Sequence, residues 1–596
     1  MTKSEERECQ NCKREFIFEP DDFEFYEKMR VPPPTWCPLC RLQRRLIWRN
    51  ERNLSRRSCD LCKKEILSMY GNEVKFPVYC PACWKGDAWD SLSYGREYNF
   101  SKPFFEQYRS LMDEVPRPSL SHNNTNVNCD YANMIQDVKN VYFSFSVIWE
   151  SEDVYYSNNV DRSRSIVDSM NVSESEMVYG SMGSVKNYRS RYCYWSSGCV
   201  DCTFMLDASG CSNCFGCVGL RNRQYCIFNE EYSKEDYKKT VASFDIGSYK
   251  NFLDFQRRFE ELALKFPRKY ARIINSVRST GDEMLNCKNV RYGFNVSGVE
   301  DGKYLFRCPG TKQAMDACHC GKAEFVYEHG MGGSSPGLEL RFIVNGMPGQ
   351  HHVTYSDYCG SSSYLFGCVG VKNKEYCILN KQYSKEAFDE LVPRITRHMD
   401  QEPYIDDRGR VYKYGEFVPP AFSPFAYNES VIQEYVPLTK ERAEELGYGW
   451  KVKEKKGYNI SVGSHKITDH IKDVNDSITT QIIGCSNEGR EEGCTTAFRI
   501  VPEELAFYRR MEIPLPRYCP NCRHATRLKK RNPVELWHRN CMCNSSESSR
   551  VTSILYINTR KHFHGNDPCP NQFETSYAPD RNETVYCETC YNSEVV

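Results

Sequence analysis

The sequence predicts a multidomain, mainly β protein in which duplicated cysteine-knuckle modules flank a duplicated, β-solenoid-like middle. Three observations carry that expectation. Cys-x-x-Cys pairs crowd both ends of the chain, and the two ends repeat one another's spacing. Between them, short apolar segments recur about every 12 residues with turn-forming residues in between. At 596 residues the chain exceeds what one hydrophobic core serves, so several domains are expected. Apolar residues make up 40% and tyrosine alone numbers 40, which excludes a disordered chain. The formal net charge is zero, so attraction to a polyanion has to rest on local patches. No apolar run approaches the roughly 18 residues of a membrane span. The opening MTKSEERECQ lacks the apolar core of a signal peptide, so a cytoplasmic protein with no membrane partner is expected.

Residues 1–90 hold four pairs: Cys9/Cys12, Cys37/Cys40, Cys59/Cys62 and Cys80/Cys83. Both thiolates of such a pair can face one tetrahedral ion, so eight ligands suit two structural zinc sites. A thioredoxin-like redox reading would need a βαβ setting around a single pair, and none is present. Residues 479–596 repeat the layout. Cys12 to Cys37 and Cys494 to Cys519 are both 25 residues, Cys40 to Cys59 and Cys522 to Cys541 both 19, and Cys62 to Cys80 and Cys569 to Cys587 both 18. FIFEPDDFEFYEKMRVPPP at 16–34 parallels FRIVPEELAFYRRMEIPLP at 498–516. Cys485, Cys494, Cys519, Cys522, Cys541, Cys569, Cys587 and Cys590 complete ligands for about four zinc ions. Two insertions spread the C-terminal knuckles: SNEGREEG after Cys485, and a 25-residue addition carrying Cys543, His562 and His564. Those three offer alternative ligands, but the duplication already supplies four thiols per site, so a surface loop is expected. Spacing leaves sequential and interleaved sites equally open.

The stretch CQNCKREFIFEPDDFEFYEKMRVPPPTWCPLCR resembles small bacterial zinc-ribbon domains of treble-clef type, over about 35 residues at each end. The whole layout is similar to uncharacterised multi-zinc-ribbon proteins of uncultured bacteria. The resemblance implies a fold for the ends and no particular activity.

A basic segment follows each second knuckle. Arg41, Arg45, Arg49 and Arg52 fall at helical steps and, with Arg44, can form a cationic face. Arg523, Arg527, Lys529, Lys530 and Arg531 repeat it. Such faces can track phosphates, with RNA or the ribosome expected ahead of sequence-specific DNA. The opposing reading is a solvated face balanced by the acidic EPDDFEFYEK.

Residues 91–120 read as a helical connector, 121–275 and 276–400 as two β-solenoid-like repeats each with a capping helix, and 401–478 as a wrapping linker. The beat runs VYFS at 141, VYYS at 154, IVDS at 166, VYGS at 178, CYWS at 193, CTFM at 202, CFGC at 214 and CIFN at 226. Alternating apolar and polar positions suggest one short strand per beat and two strands per coil, with an antiparallel meander as the alternative. CFGCVGLRNRQYCIFNEEYSKEDY at 214–237 matches LFGCVGVKNKEYCILNKQYSKEAF at 365–388, and Ser233 and Ser384 are placed to cap the helices that follow. Cys193, Cys199, Cys202, Cys211, Cys214, Cys217 and Cys226 follow the beat. Neighbouring beats carry Ser, Val, Tyr or Phe at equivalent places, so buried thiols are expected there and not a metal cluster. Cys318, His319 and Cys320 alternate across a strand and do not form a ligand set.

No nucleophile elbow, phosphate loop or HExxH motif is present. The leading reading is a zinc protein that binds nucleic acid through its ribbons. A protein-interaction scaffold is the alternative. A carbohydrate-active β-helix enzyme using carboxylates such as Asp201, Asp207, Glu230 and Glu231 comes third.

Overall fold

A computed structural model describes residues 4–123, 125–333, 335–452, 457–491, 493–543 and 556–595. Most of the charged KVKEKKG run and part of the second C-terminal insertion therefore lie outside the described residues.

In the middle of the chain the backbone turns a corner at every third residue. Asn128, Tyr131, Met134, Asp137, Asn140, Phe143 and Ser146 all sit in the left-handed region, with φ between 44° and 56°. The residue after each corner points inward, so Ala132, Ile135, Val138, Val141 and Val147 are buried. The inward period is thus three and not the two of an ordinary strand, which corrects the alternation expected from sequence. Four such corners close a 12-residue unit. Val154 pairs in parallel with Ile166, and Ile166 with Val178, so the 12-residue spacing holds, but each unit carries two short strands and not the one expected per beat. Successive strands fall alternately into two ladders. One runs Val127–Asp130, Lys139–Tyr142, Glu152–Tyr155, Arg164–Val167, Glu176–Tyr179. The other runs Asn133–Gln136, Phe145–Ile148, Asn158–Asp161, Met170–Ser173, Met182–Val185. Both meet at Tyr188–Tyr194 to form one 15-stranded sheet. Only its last pair, Cys226–Ile227 with Glu230–Glu231, is antiparallel, so the meander alternative is overturned.

Serine holds this interior together. Buried Ser157 donates to the carbonyl of Tyr155 and accepts the backbone N–H of Ser169, one unit on, at 3.0 Å. Ser169 and Ser181 repeat this, and Ser151, Ser163 and Ser175 form a second column accepting from Ser163, Ser175 and Asn187. Each hydroxyl pairs a backbone N–H of the following unit. From Cys193 onward thiols take the same columns, and all seven cysteines of the beat are buried.

A second sheet of 11 strands, Ile273–Ile274 to Lys381–Gln382, pairs each strand with the next, again parallel except at its end. Its interior is Val290, Val296, Leu305, Val326, Leu340, Val353 and Leu365 with Cys287, Cys308, Cys320 and Cys368. Cys318 packs instead on the outer core and Cys320 on the inner one, so two residues that strand alternation would place on one face lie on opposite sides. Ser233 and Ser384 cap the helices Lys234–Phe244 and Lys385–Gln401 through N–H bonds from Asp236 and Ala387.

The termini cross over. The N-terminal module packs its Trp36, Leu46 and Trp48 into the core of the second sheet, alongside Phe306, Tyr327 and Phe342. The C-terminal module packs Leu505, Phe507 and Tyr508 against Tyr155, Tyr156 and Tyr179 of the first. The segment 401–452 straps the two modules. Val431 N–H donates to the Arg49 carbonyl, and Arg531 donates to the Glu434 carbonyl.

Candidate metal centres and the arginine rows

In each group the second cysteine pair sits at a helix start. Cys37, Cys80 and Cys519 occupy the cap position of the helices Pro38–Leu46, Pro81–Lys85 and Pro520–Leu528, with proline in the first turn, where its missing N–H costs nothing. The cap N–H then points back across the site. Cys37 donates to Cys9 Sγ, Cys80 to Cys59 Sγ, Cys519 to Cys485 Sγ and Cys587 to Cys541 Sγ, each at 3.2 Å. Four tetracysteine groups result: Cys9/Cys12/Cys37/Cys40, Cys59/Cys62/Cys80/Cys83, Cys485/Cys494/Cys519/Cys522 and Cys541/Cys569/Cys587/Cys590. Their arrangement is sequential along the chain.

Sulfur–sulfur distances are 3.7 Å for Cys12–Cys37, 3.9 Å for Cys62–Cys80, 3.8 Å for Cys485–Cys522 and 3.9 Å for Cys569–Cys587. A zinc tetrahedron with bonds of about 2.3 Å has an edge of about 3.8 Å, so the donor sets fit. With all four positions filled by thiols there is no open site for substrate, which is the structural and not the catalytic type. Protons are unevenly shared. The thiols of Cys37 and Cys40 drive Cys9 far below the ordinary thiol value, while Cys12, Cys37 and Cys9 push Cys40 up. The second module repeats this, with Cys519 lowered by Cys485 and Cys522, and Cys485 pushed up to about 12 by Cys519. A divalent cation among them favours thiolate throughout, so loading releases protons.

The surface loop expected for Cys543, His562 and His564 is not what the structure shows. Cys543 is fully buried, His562 is buried, and with His564 and Cys590 they form a fifth close group. The sequence signal for this group is the pairing of Cys-x-Cys at 541–543 with His-x-His at 562–564.

The arginine rows require the larger correction, because the cationic faces do not face solvent. Arg41 donates to Asp316 at 2.8 Å, and Arg44 donates to Glu328 at 2.5 Å and to Glu416 at 2.6 Å. Arg45 donates to Asp316 at 3.2 Å and to Glu328 at 3.1 Å, and Arg49 to Glu51 at 2.6 Å. All four side chains are at most 4% exposed. Burial alone would lower Arg44, but Glu328 and Glu416 outweigh it and hold the guanidinium well above its ordinary value. Arg52 stacks 4.8 Å over Phe145 and donates to Asn521.

The C-terminal row behaves alike. Arg523 and Arg527 converge on Asp168, Arg531 reaches the Glu434 carbonyl, and Lys530 pairs with Glu260. Lys529 alone of the ten has an exposed side chain, and it pairs with Glu491. Asp168 and Asp316 are both left-handed corner residues, φ 51° and 53°, a conformation Asp tolerates. The helices Pro38–Leu46 and Pro520–Leu528 thus each plug two arginines, one turn apart, into one aspartate corner. The local acidic EPDDFEFYEK segment is not their partner, since its Asp22 binds Lys303 at 2.7 Å.

Asp201 pairs with Arg189 and Asp207 with Arg221, while Glu230 and Glu231 are exposed at the sheet end. Fold and sites together define a mainly β protein with large parallel sheets and zinc-ribbon-like tetracysteine groups at both ends. The chain matches no protein-family model, no curated protein and no solved structure.

Proposed function

We propose that the chain is a zinc-stapled β-solenoid scaffold: four structural zinc ions set the terminal modules, the modules clamp two solenoids together, and the uncovered solenoid rows meet a protein partner. The observation that carries this reading is the pair of crosswise clamps, in which arginines of the helices Pro38–Leu46 and Pro520–Leu528 are held by buried carboxylates of the opposite sheet. Guanidinium groups so engaged cannot also neutralise phosphates. The uncovered rows alternate in charge, Lys139–Glu152–Arg164 on one sheet and Lys288–Glu300–Lys312 on the other. Such rows discriminate partners by complementarity more than they supply raw affinity.

Two measurements test the reading. Chelation should release both modules, seen as new protease sites in residues 4–90 and 479–596 with the sheets intact. Titration with single-stranded RNA and duplex DNA at about 50 mM salt, where phosphate contacts are strongest, should show no binding. Tight binding that weakens uniformly on replacing Arg45 and Arg49 with Ala would return the ribbons to nucleic acid.

A further inference from the structure

We propose that Cys590 is a bridging thiolate, so that the C-terminal module holds a two-zinc cluster: one ion on Cys541, Cys569, Cys587 and Cys590, the other on Cys590, Cys543, His562 and His564. The proposal rests on the zinc reading of the tetracysteine groups and adds a fifth ion to it.

The two groups share one residue, and within each the donor atoms all lie within 4.8 Å of one another. His564 Nε2 stands 3.4 Å from both Cys543 Sγ and Cys590 Sγ. With Zn–N near 2.0 Å and Zn–S near 2.3 Å, a tetrahedron has a mixed edge of about 3.5 Å. His562 Nδ1 lies 2.8 Å from Cys543 Sγ, a contact that lengthens on binding. On the other side Cys590 Sγ is 3.6 Å from Cys569 Sγ, so one sulfur reaches both centres.

The outer contacts fix the ring tautomers a metal needs. His562 Nε2 lies 3.0 Å from Glu594 Oε2, with both side chains at most 1% exposed. A proton on that nitrogen leaves Nδ1 as a lone pair facing Cys543. His564 Nδ1 lies 2.6 Å from the Asp567 carbonyl, which can only accept, so Nε2 is the lone pair facing the two sulfurs. Carboxylate– and carbonyl–histidine pairs of this kind orient metal-ligating imidazoles. Cys590 and Glu594 lie one turn apart on the helix Glu588–Val595, so one rigid element carries both the bridge and the brace. Asn558 Nδ2 donates to Cys543 Sγ at 2.9 Å and Asn571 Nδ2 to Cys587 Sγ at 3.2 Å, each softening thiolate charge.

Charge and chain length point the same way. Two Zn²⁺ on five thiolates and two neutral imidazoles leave a net −1, against −2 for one ion on four thiolates. In the N-terminal copy the corresponding knuckle, Cys59 and Cys62, is closed by two residues, whereas 27 separate Cys541 from Cys569. Opening a knuckle that far raises the entropic cost of closing it. A second ion held by both ends of the insertion offsets that cost.

Native mass spectrometry of the full chain should count five zinc ions, and four in H562A/H564A with the far-UV spectrum unchanged. A wild-type count of four, or an unchanged count in the variant, overturns the bridge. A count of zero overturns the zinc reading altogether and is thereby distinguishable. Should the variant misfold, cobalt loading of wild type decides: the fifth equivalent should bring about half the thiolate-to-cobalt charge-transfer intensity of each earlier one. Saturation at four equivalents with uniform spectra refutes the cluster.

Discussion

Arg44 is the sharpest probe of the clamp. Its guanidinium joins Arg41 and Arg45 against Asp316, Glu328 and Glu416, three cations and three carboxylates, all but Glu416 at most 1% exposed and Glu416 at 5%. It also stacks 5.0 Å over Trp36. Arg44→Met keeps the volume and removes one charge, leaving three buried carboxylates facing two arginines. An uncompensated buried charge costs about 3–5 kcal/mol. At a factor of ten per 1.4 kcal/mol, local opening of the helix Pro38–Leu46 should rise about 10² to 10⁴-fold. Hydrogen exchange on peptides spanning residues 36–48 reads this directly and needs no two-state assumption for a chain of this size. Adding Glu328→Gln should recover part of the loss, because the orphaned charge goes with it. Less than a tenfold change in Arg44→Met would refute the clamp. So would unchanged protection together with lost affinity for RNA, since that outcome assigns the arginine to phosphate.

Two further outcomes follow from the sheets and the second module. Ser169→Ala removes the acceptor for the buried N–H of Ser181 and should cost about 1–3 kcal/mol in urea unfolding. Ser169→Cys should cost less, because the same column continues as Cys193; equal losses would remove the serine ladder from the account. Burial pushes the Glu504 carboxyl up to about 7 despite Arg523, against an ordinary value of 4.5. A folded value above the unfolded one favours folding of the protonated form, so this contribution is complete below about pH 4.5 and lost as pH rises through about 7. The span corresponds to at most about 3 kcal/mol. Relative to Glu504→Gln, wild type should therefore lose thermal stability between pH 5 and pH 8, and parallel curves would exclude Glu504 as the titrating group.

Much of this architecture is legible in the sequence because it is written twice. The duplicated spacings located the four cysteine groups, and the 12-residue beat located the paired units, since both depend on local chain geometry. Ser233 and Ser384 were readable for the same reason, as a cap acts within three residues. The inward period of three was not, because nothing in the residue types announces left-handed Tyr, Phe and Met corners. The fate of Arg41 and Arg45 was hidden more deeply. A row of cations at helical spacing looks the same whether it meets water or a carboxylate, and Asp316 stands 275 residues from Arg41. Cys543, His562 and His564 are not legible as ligands because an insertion has no copy elsewhere in the chain to be read against.

The crossing of the termini sets a schedule for biosynthesis. The first module is made long before its seat: at about 5–20 residues per second, the 275 residues between Arg41 and Asp316 take roughly 15–55 s to emerge. Through that interval three arginines and Trp36 wait uncovered. The second module closes backward over 355 residues, from Arg523 to Asp168, so the first sheet stays uncovered until the last part of the chain is made. A chain cut between the sheets gives two pieces, each holding the key to the other's lock. Each piece hides its clamp charges only when the two meet again.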